Sequence, residues 1–111
     1  MRLEVKGKNV EVTPSLRSYV ESKLAKLQKH LAEPTQVEIE LSHEKNPSIA
    51  EGAVAEGTIY AKGPTLRARE ATRDIRTSVD ALVENLERQV KRYREKRISE
   101  PRRRTEHHEH A

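Results

Sequence analysis

The chain has 111 residues and a mass of 12.7 kDa, enough for one domain around a small core. Charged residues make up 36% against 33% apolar, Phe and Trp are absent, and Lys plus Arg exceed Asp plus Glu by 22 to 18. The lack of cysteine excludes disulfides, thiolate nucleophiles and Cys-based zinc sites. No apolar run approaches the roughly 20 residues that span a bilayer, and the start Met1-Arg2-Leu3-Glu4 has no signal-peptide stretch, which reads as cytoplasmic.

Residues 2–6 alternate polar and apolar, the period of a half-buried strand. Thr13-Pro14 then offers a cap and a proline at the first helical position. Leu16, Tyr19/Val20, Leu24, Leu27 and Leu31 repeat every three or four residues, predicting an amphipathic helix that closes near His30, before Pro34. Val37, Ile39 and Leu41 alternate with Glu38, Glu40 and Ser42 as a second strand, broken at Asn46-Pro47. A third strand is expected at about 52–61, although Ala and Gly at 52, 53, 55 and 57 weaken its pattern. After a turn at Lys62-Gly63-Pro64, Leu66-Arg67-Ala68-Arg69 alternates as a fourth. Ile75, Val79, Leu82/Val83, Leu86, Val90 and Tyr93 predict a long helix from about Thr72 to Arg97, ended by Pro101 at the latest.

The order β-α-β-β-β-α predicts an α+β domain over residues 1–97, a four-stranded sheet with two helices packed on one face. Residues 98–111 read as a disordered basic, His-rich tail.

Catalysis finds no support. Glu38, Glu40, Glu44, Glu51 and Glu56 fall on strand exteriors and a turn rather than across a cleft. The serines lie in no nucleophile-elbow context and the glycines build no phosphate-cradling loop. No enzyme, cofactor, metal or small-molecule substrate is expected. His107, His108 and His110 have no opposing ligand, and His30 and His43 read as lone surface groups.

Charge is unevenly placed. Residues 1–61 carry eight Lys/Arg against nine acids, whereas residues 62–111 carry 14 against nine. Arg73, Arg76, Arg88, Lys91, Arg92, Arg94, Lys96 and Arg97 fall mostly off the apolar stripe of the last helix. A solvated face whose cations complement the helix C-terminus is the plain explanation. Arg67 and Arg69 on the fourth strand, with Lys23, Lys26 and Lys29 on the first helix, raise a second possibility: cations of three elements converging on a polyanion. Lys and Arg without interleaved aromatics suit backbone phosphates rather than splayed bases.

Gly7-Lys8-Asn9-Val10-Glu11-Val12-Thr13-Pro14-Ser15-Leu16-Arg17, followed by Lys23-Leu24-Ala25-Lys26-Leu27, resembles the opening of the ribosome hibernation promoting factors and ribosome-associated inhibitors. Leu66-Arg67-Ala68, Asp74-Ile75, Val79-Asp80 and Leu86-Glu87-Arg88-Gln89-Val90 extend the resemblance to about residue 97. It implies a fold like a double-stranded-RNA-binding domain, and binding to 16S ribosomal RNA and adjoining proteins in the decoding channel of the small subunit. It further implies exclusion of messenger and transfer RNA, and inhibition of translation under stress.

Arg17, Lys23, Lys26 and Lys29 match the family's basic positions on the first helix, and Arg88, Lys91, Arg92 and Lys96 those on the second. Two departures stand out: Arg76 replaces the family's usual Tyr, and Asn85 replaces a Lys. The chain reads as a short form or as the front of a long one. Two other readings stay open: a module docking an acidic protein through its basic helix, and a peripheral membrane module.

Overall fold

Six elements follow one another in the expected order: β1 (Arg2–Lys8), α1 (Pro14–Gln28), β2 (Gln36–His43), β3 (Ala53–Tyr60), β4 (Thr65–Thr72) and α2 (Ile75–His107). The computed structural model describes residues 2–29, 31, 36–46, 50–61 and 65–107, with side chains as far as Tyr93. Expectations at His30, Pro34, Pro47, Lys62-Gly63-Pro64 and residues 108–111 lie outside the described residues.

The sheet order is β1-β2-β3-β4. β1 and β2 are parallel, because a helix carries the chain back between them, while β2, β3 and β4 form an antiparallel meander. Register places Leu3 beside Val37, Val5 beside Ile39, Ile39 beside Gly57 and Gly57 beside Ala68, so the apolar halves of all four strands share one face. Both helices cover that face. Leu16, Val20, Leu24 and Leu27 of α1 and Val79, Leu82, Leu86 and Val90 of α2 are buried against it. The apolar stripe of α2 is therefore consumed by the sheet, which removes the surface a membrane module would use. Among the described residues no helix is long and apolar enough to cross a membrane.

The small residues that weakened the pattern of β3 have a packing role. A Cβ on Gly57 would lie 3.0 Å from a methyl of Leu86, 3.1 Å from one of Ile39 and 3.3 Å from one of Leu82. A side chain here would crowd all three, so glycine suits the close packing of α2 on the sheet. Asn9 takes a left-handed conformation (φ 65°) in the turn after β1, which Asn tolerates better than most residues.

Side chains cap both helices. The Thr13 hydroxyl accepts from Leu16 N–H at 3.1 Å, with Pro14 behind it as expected. The second cap is Asp74, whose carboxylate accepts from Thr77 N–H at 3.0 Å, so α2 begins at Ile75 rather than Thr72. Thr72 instead ends β4, and its hydroxyl bonds the buried Ser78 hydroxyl at 2.7 Å. Ser78 in turn donates to Ala53 C=O at 2.6 Å, which makes its burial tolerable.

The far end also differs from expectation. α2 runs on past Arg97 and Pro101 to His107, where the sequence suggests a disordered tail. Proline removes one helical donor and crowds a preceding carbonyl, which makes it a common stop. Here the Arg, Glu and Lys around it are good helix formers, and the backbone continues through.

Candidate nucleic-acid interface

The two helices run parallel, since their contacts advance together along both. An Arg76 guanidinium N–H donates to the Ser15 hydroxyl at 3.1 Å. One turn further, the Tyr19 hydroxyl donates to Asp80 Oδ1 at 2.6 Å. Lys23 Nζ reaches the same oxygen at 3.2 Å. The Tyr19 ring lies beneath two cations, with Arg76 4.8 Å and Lys23 5.5 Å from its centroid. Ser15, Tyr19 and Lys23 repeat every fourth residue on α1, and Arg76 and Asp80 do so on α2.

The titration behaviour follows this geometry. The Tyr19 hydrogen bond, with help from Lys23, holds the Asp80 carboxyl below its ordinary value. Asp80 holds Lys23 above its own, chiefly through their hydrogen bond. Tyr19 is raised as well, because its neutral hydroxyl is the form that donates to Asp80.

Other cations spread outward from this seam. Lys26, one turn beyond Lys23, is exposed and contributes to the field at Asp80. Lys29 is exposed at the C-cap of α1. Lys91 lies about three turns beyond Asp80 on the same face of α2. Arg88 and Arg92 fan further from α1, roughly 80° and 120° around the helix axis from Asp80. All three are exposed. Arg73 is exposed in the turn before α2. Arg17 is exposed too, but it is turned roughly 160° around α1 from Tyr19 and so points away from α2. The side chains of Arg94 and Lys96 lie outside the described residues.

Arg67 and Arg69 do not join this surface. Strand alternation puts them on the open face of the sheet, opposite the helices, which corrects the expected convergence of three elements. Register sets Arg69 beside Glu56 and Arg67 beside Thr58. Arg69 reaches Glu56 at 3.8 Å. A shallow groove on this face is lined by Lys6, Glu38, Glu40, Glu56, Thr58 and Arg67. Register runs Lys6, Glu40, Glu56 and Arg69 side by side across the sheet, so each glutamate of this row has a cation as one neighbour. Among the described residues no group of His, Asp or Glu is arranged to hold a metal ion.

The sequence pattern of the family described as Sigma 54 modulation protein / S30EA ribosomal protein matches residues 3–98. The chain belongs to this family. A ribosome hibernation promotion factor of Picosynechococcus sp. is 39% identical over 97 residues, covering 86% of this chain and 50% of its own length. The ribosome hibernation promoting factor of Salmonella typhimurium is 32% identical over 96 residues, covering 86% of this chain and 96% of its own length. The chain thus spans about half of the first relative and nearly all of the second. The N-terminal domain of Protein Y from Thermus thermophilus superposes with a TM-score of 0.74 at 32% identity, over 84% of this chain and 99% of that domain. A ribosomal subunit interface protein from Coxiella burnetii, 23% identical with a TM-score of 0.72, shares the fold.

Within this S30EA-family chain, the seam contains residues that sequence reasoning missed. Tyr19 reads as an apolar-face residue, yet its hydroxyl bridges the helices. Ser15 and Asp80 carry no motif of their own. Their only signal is the spacing of four between Ser15, Tyr19 and Lys23, matched by Arg76 and Asp80. That spacing gains meaning once the two helices are known to lie parallel. Asn85 faces β4: it donates to Glu70 at 2.8 Å and accepts from Gln89 at 2.8 Å.

Proposed function

We propose that this chain is a ribosome hibernation factor, a non-enzymatic protein of the cytoplasm that silences ribosomes under stress. Its helix layer meets 16S ribosomal RNA in the decoding channel of the small subunit. The observation that carries this reading is the set of cations gathered on the helix layer. Lys23, Lys26, Arg76, Arg88, Lys91 and Arg92 lie on the helix side, whereas on the opposite sheet face Lys6 and Arg69 stand beside Glu40 and Glu56. Cations on rigid helices at fixed spacing suit the backbone of folded RNA, which proteins recognise largely by shape and phosphate position.

Inhibition then needs no chemistry. A body that occupies the channel excludes messenger and transfer RNA by mutually exclusive binding, and the competition follows from mass action. Membership in a family whose named relatives are hibernation factors supports the assignment. Neither the family nor the fold favours docking to an acidic protein.

The test is co-sedimentation with purified small subunits. The wild-type chain is expected to co-migrate. Replacing Arg88, Lys91 and Arg92 together with Glu is expected to abolish co-migration without loss of fold, since exposed substitutions usually change stability by about 0.5 kcal/mol or less each. Unchanged sedimentation of the triple variant would refute the helix-face assignment.

A further inference from the structure

We infer that Asp80 is a specificity-determining positioning residue, which holds Lys23 directly and Arg76 through Tyr19 as a fixed pair of cations for the phosphates of one folded RNA surface. This rests on the helix-face reading above and adds to it the claim that an acidic residue serves an anion-binding surface.

Lys23 and Arg76 belong to different helices and both approach the Tyr19 ring, at 5.5 and 4.8 Å. Two like charges brought this close repel each other. Asp80 offsets part of that repulsion by pairing directly with Lys23. Its Oδ1 takes the Tyr19 hydroxyl at 2.6 Å and the Lys23 ammonium at 3.2 Å. The Tyr19 ring is thereby held in one orientation, and the Arg76 guanidinium stacks on it while donating to Ser15 at 3.1 Å. Two of the longest and most flexible side chains on the helix face are therefore ordered before any partner arrives.

Two opposing effects follow for an RNA ligand. Each rotamer-rich side chain that binding must immobilise weakens affinity by roughly two- to tenfold, so ordering Lys23 and Arg76 in advance removes that loss. Asp80 also repels nearby phosphates, and its charge weakens binding by about two- to threefold at a separation of roughly 7 Å in water. Which effect dominates depends on the ligand. A folded RNA presents phosphates at fixed positions and gains from fixed cations. A flexible single strand adapts to any arrangement and feels mainly the extra negative charge. Asp80 therefore strengthens binding to the structured target and weakens binding to unstructured RNA.

The test uses the full chain with Asp80→Asn, close in shape but uncharged, and measures affinity for isolated small subunits and for poly(A) at one salt concentration. Thermal melting is followed in parallel. Affinity for small subunits is expected to fall about tenfold, equivalent to about 1.4 kcal/mol, while affinity for poly(A) rises about twofold. Tyr19→Phe keeps the ring beneath Arg76 and loses only the hydroxyl, so it should weaken subunit binding by a smaller factor and leave poly(A) unchanged. If both ligands bind Asp80→Asn more tightly, Asp80 only repels RNA and the inference fails. If both weaken in step with a lowered melting temperature, its role is structural and the inference fails again. Subunit binding that survives the Arg88, Lys91 and Arg92 replacements would remove the helix-face reading itself. That failure is read separately from any result at Asp80.

Discussion

Tyr19 and Asp80, 61 positions apart in sequence, are joined across two parallel helices by a hydrogen bond of 2.6 Å. The bond makes an aromatic residue of the apolar stripe part of the polar outer surface. It also ties the inner face of α1, which packs on the sheet, to the outer surface where the cations stand.

The pH dependence of this seam has a definite sign. Asp80 titrates below its ordinary 3.8, so its contribution to stability is present above that value and is lost as pH falls through the depressed one. Tyr19 and Lys23 titrate above 10.0 and 10.5, so their contributions are complete below those values and are lost as pH rises through the raised ones. The difference in melting temperature between wild type and Asp80→Asn should be constant from about pH 5 to 9 and shrink on either side. It should also be small, because the Lys23 and Asp80 side chains are 32% and 42% exposed. A difference that grew at low pH would contradict the assignment.

Leu86 is fully buried on the same helix that carries Arg88. Leu86→Ala should destabilise by roughly 2–5 kcal/mol, from lost transfer energy and an unfilled cavity. In calorimetry the melting temperature should drop by at least about 8 °C. Ribosome binding should weaken only in proportion to the unfolded fraction.

Gly57 tests the close approach of α2 to the sheet. Gly57→Val would place new carbons against Leu86, Ile39 and Leu82, three buried side chains that lie within 3.3 Å of where its Cβ would sit. Overpacking of this kind costs roughly 1–3 kcal/mol, which outweighs the gain in strand propensity. Chemical denaturation should show a lower midpoint for the variant.

Binding to small subunits should weaken as monovalent salt rises at fixed magnesium. With about five phosphates neutralised, log K against log salt should fall with a slope of roughly −3.5 to −4.5. Lys26→Gln should flatten the slope by about one unit or slightly less. A slope near zero, or binding that survives digestion of the ribosomal RNA, would favour a protein partner.

Arg67 and Arg69 serve as the contrast. They sit on the open sheet face, with Arg69 beside Glu56, so replacing both with Glu should weaken subunit binding far less than the triple change on α2. Equal losses in the two variants would mean that both faces meet RNA.

Local patterning determined much of this protein. The alternation Val37, Ile39, Leu41 marks β2, the stripe from Ile75 to Tyr93 marks the packed part of α2, and Thr13-Pro14 marks the start of α1, because each signal depends on neighbours within a few residues. The helix-borne cations were legible for the same reason: they are simply off the stripe. Only tertiary structure decided how the pieces face one another. Arg67 and Arg69 looked like partners of the helix cations until the sheet's two-residue period placed them on its far side. Gly57 looked like a weakness in a strand until α2 was seen to need the space. The seam of Ser15, Tyr19, Lys23, Arg76 and Asp80 was invisible in one dimension, since it exists only where two helices about 60 residues apart in sequence lie parallel on the same sheet.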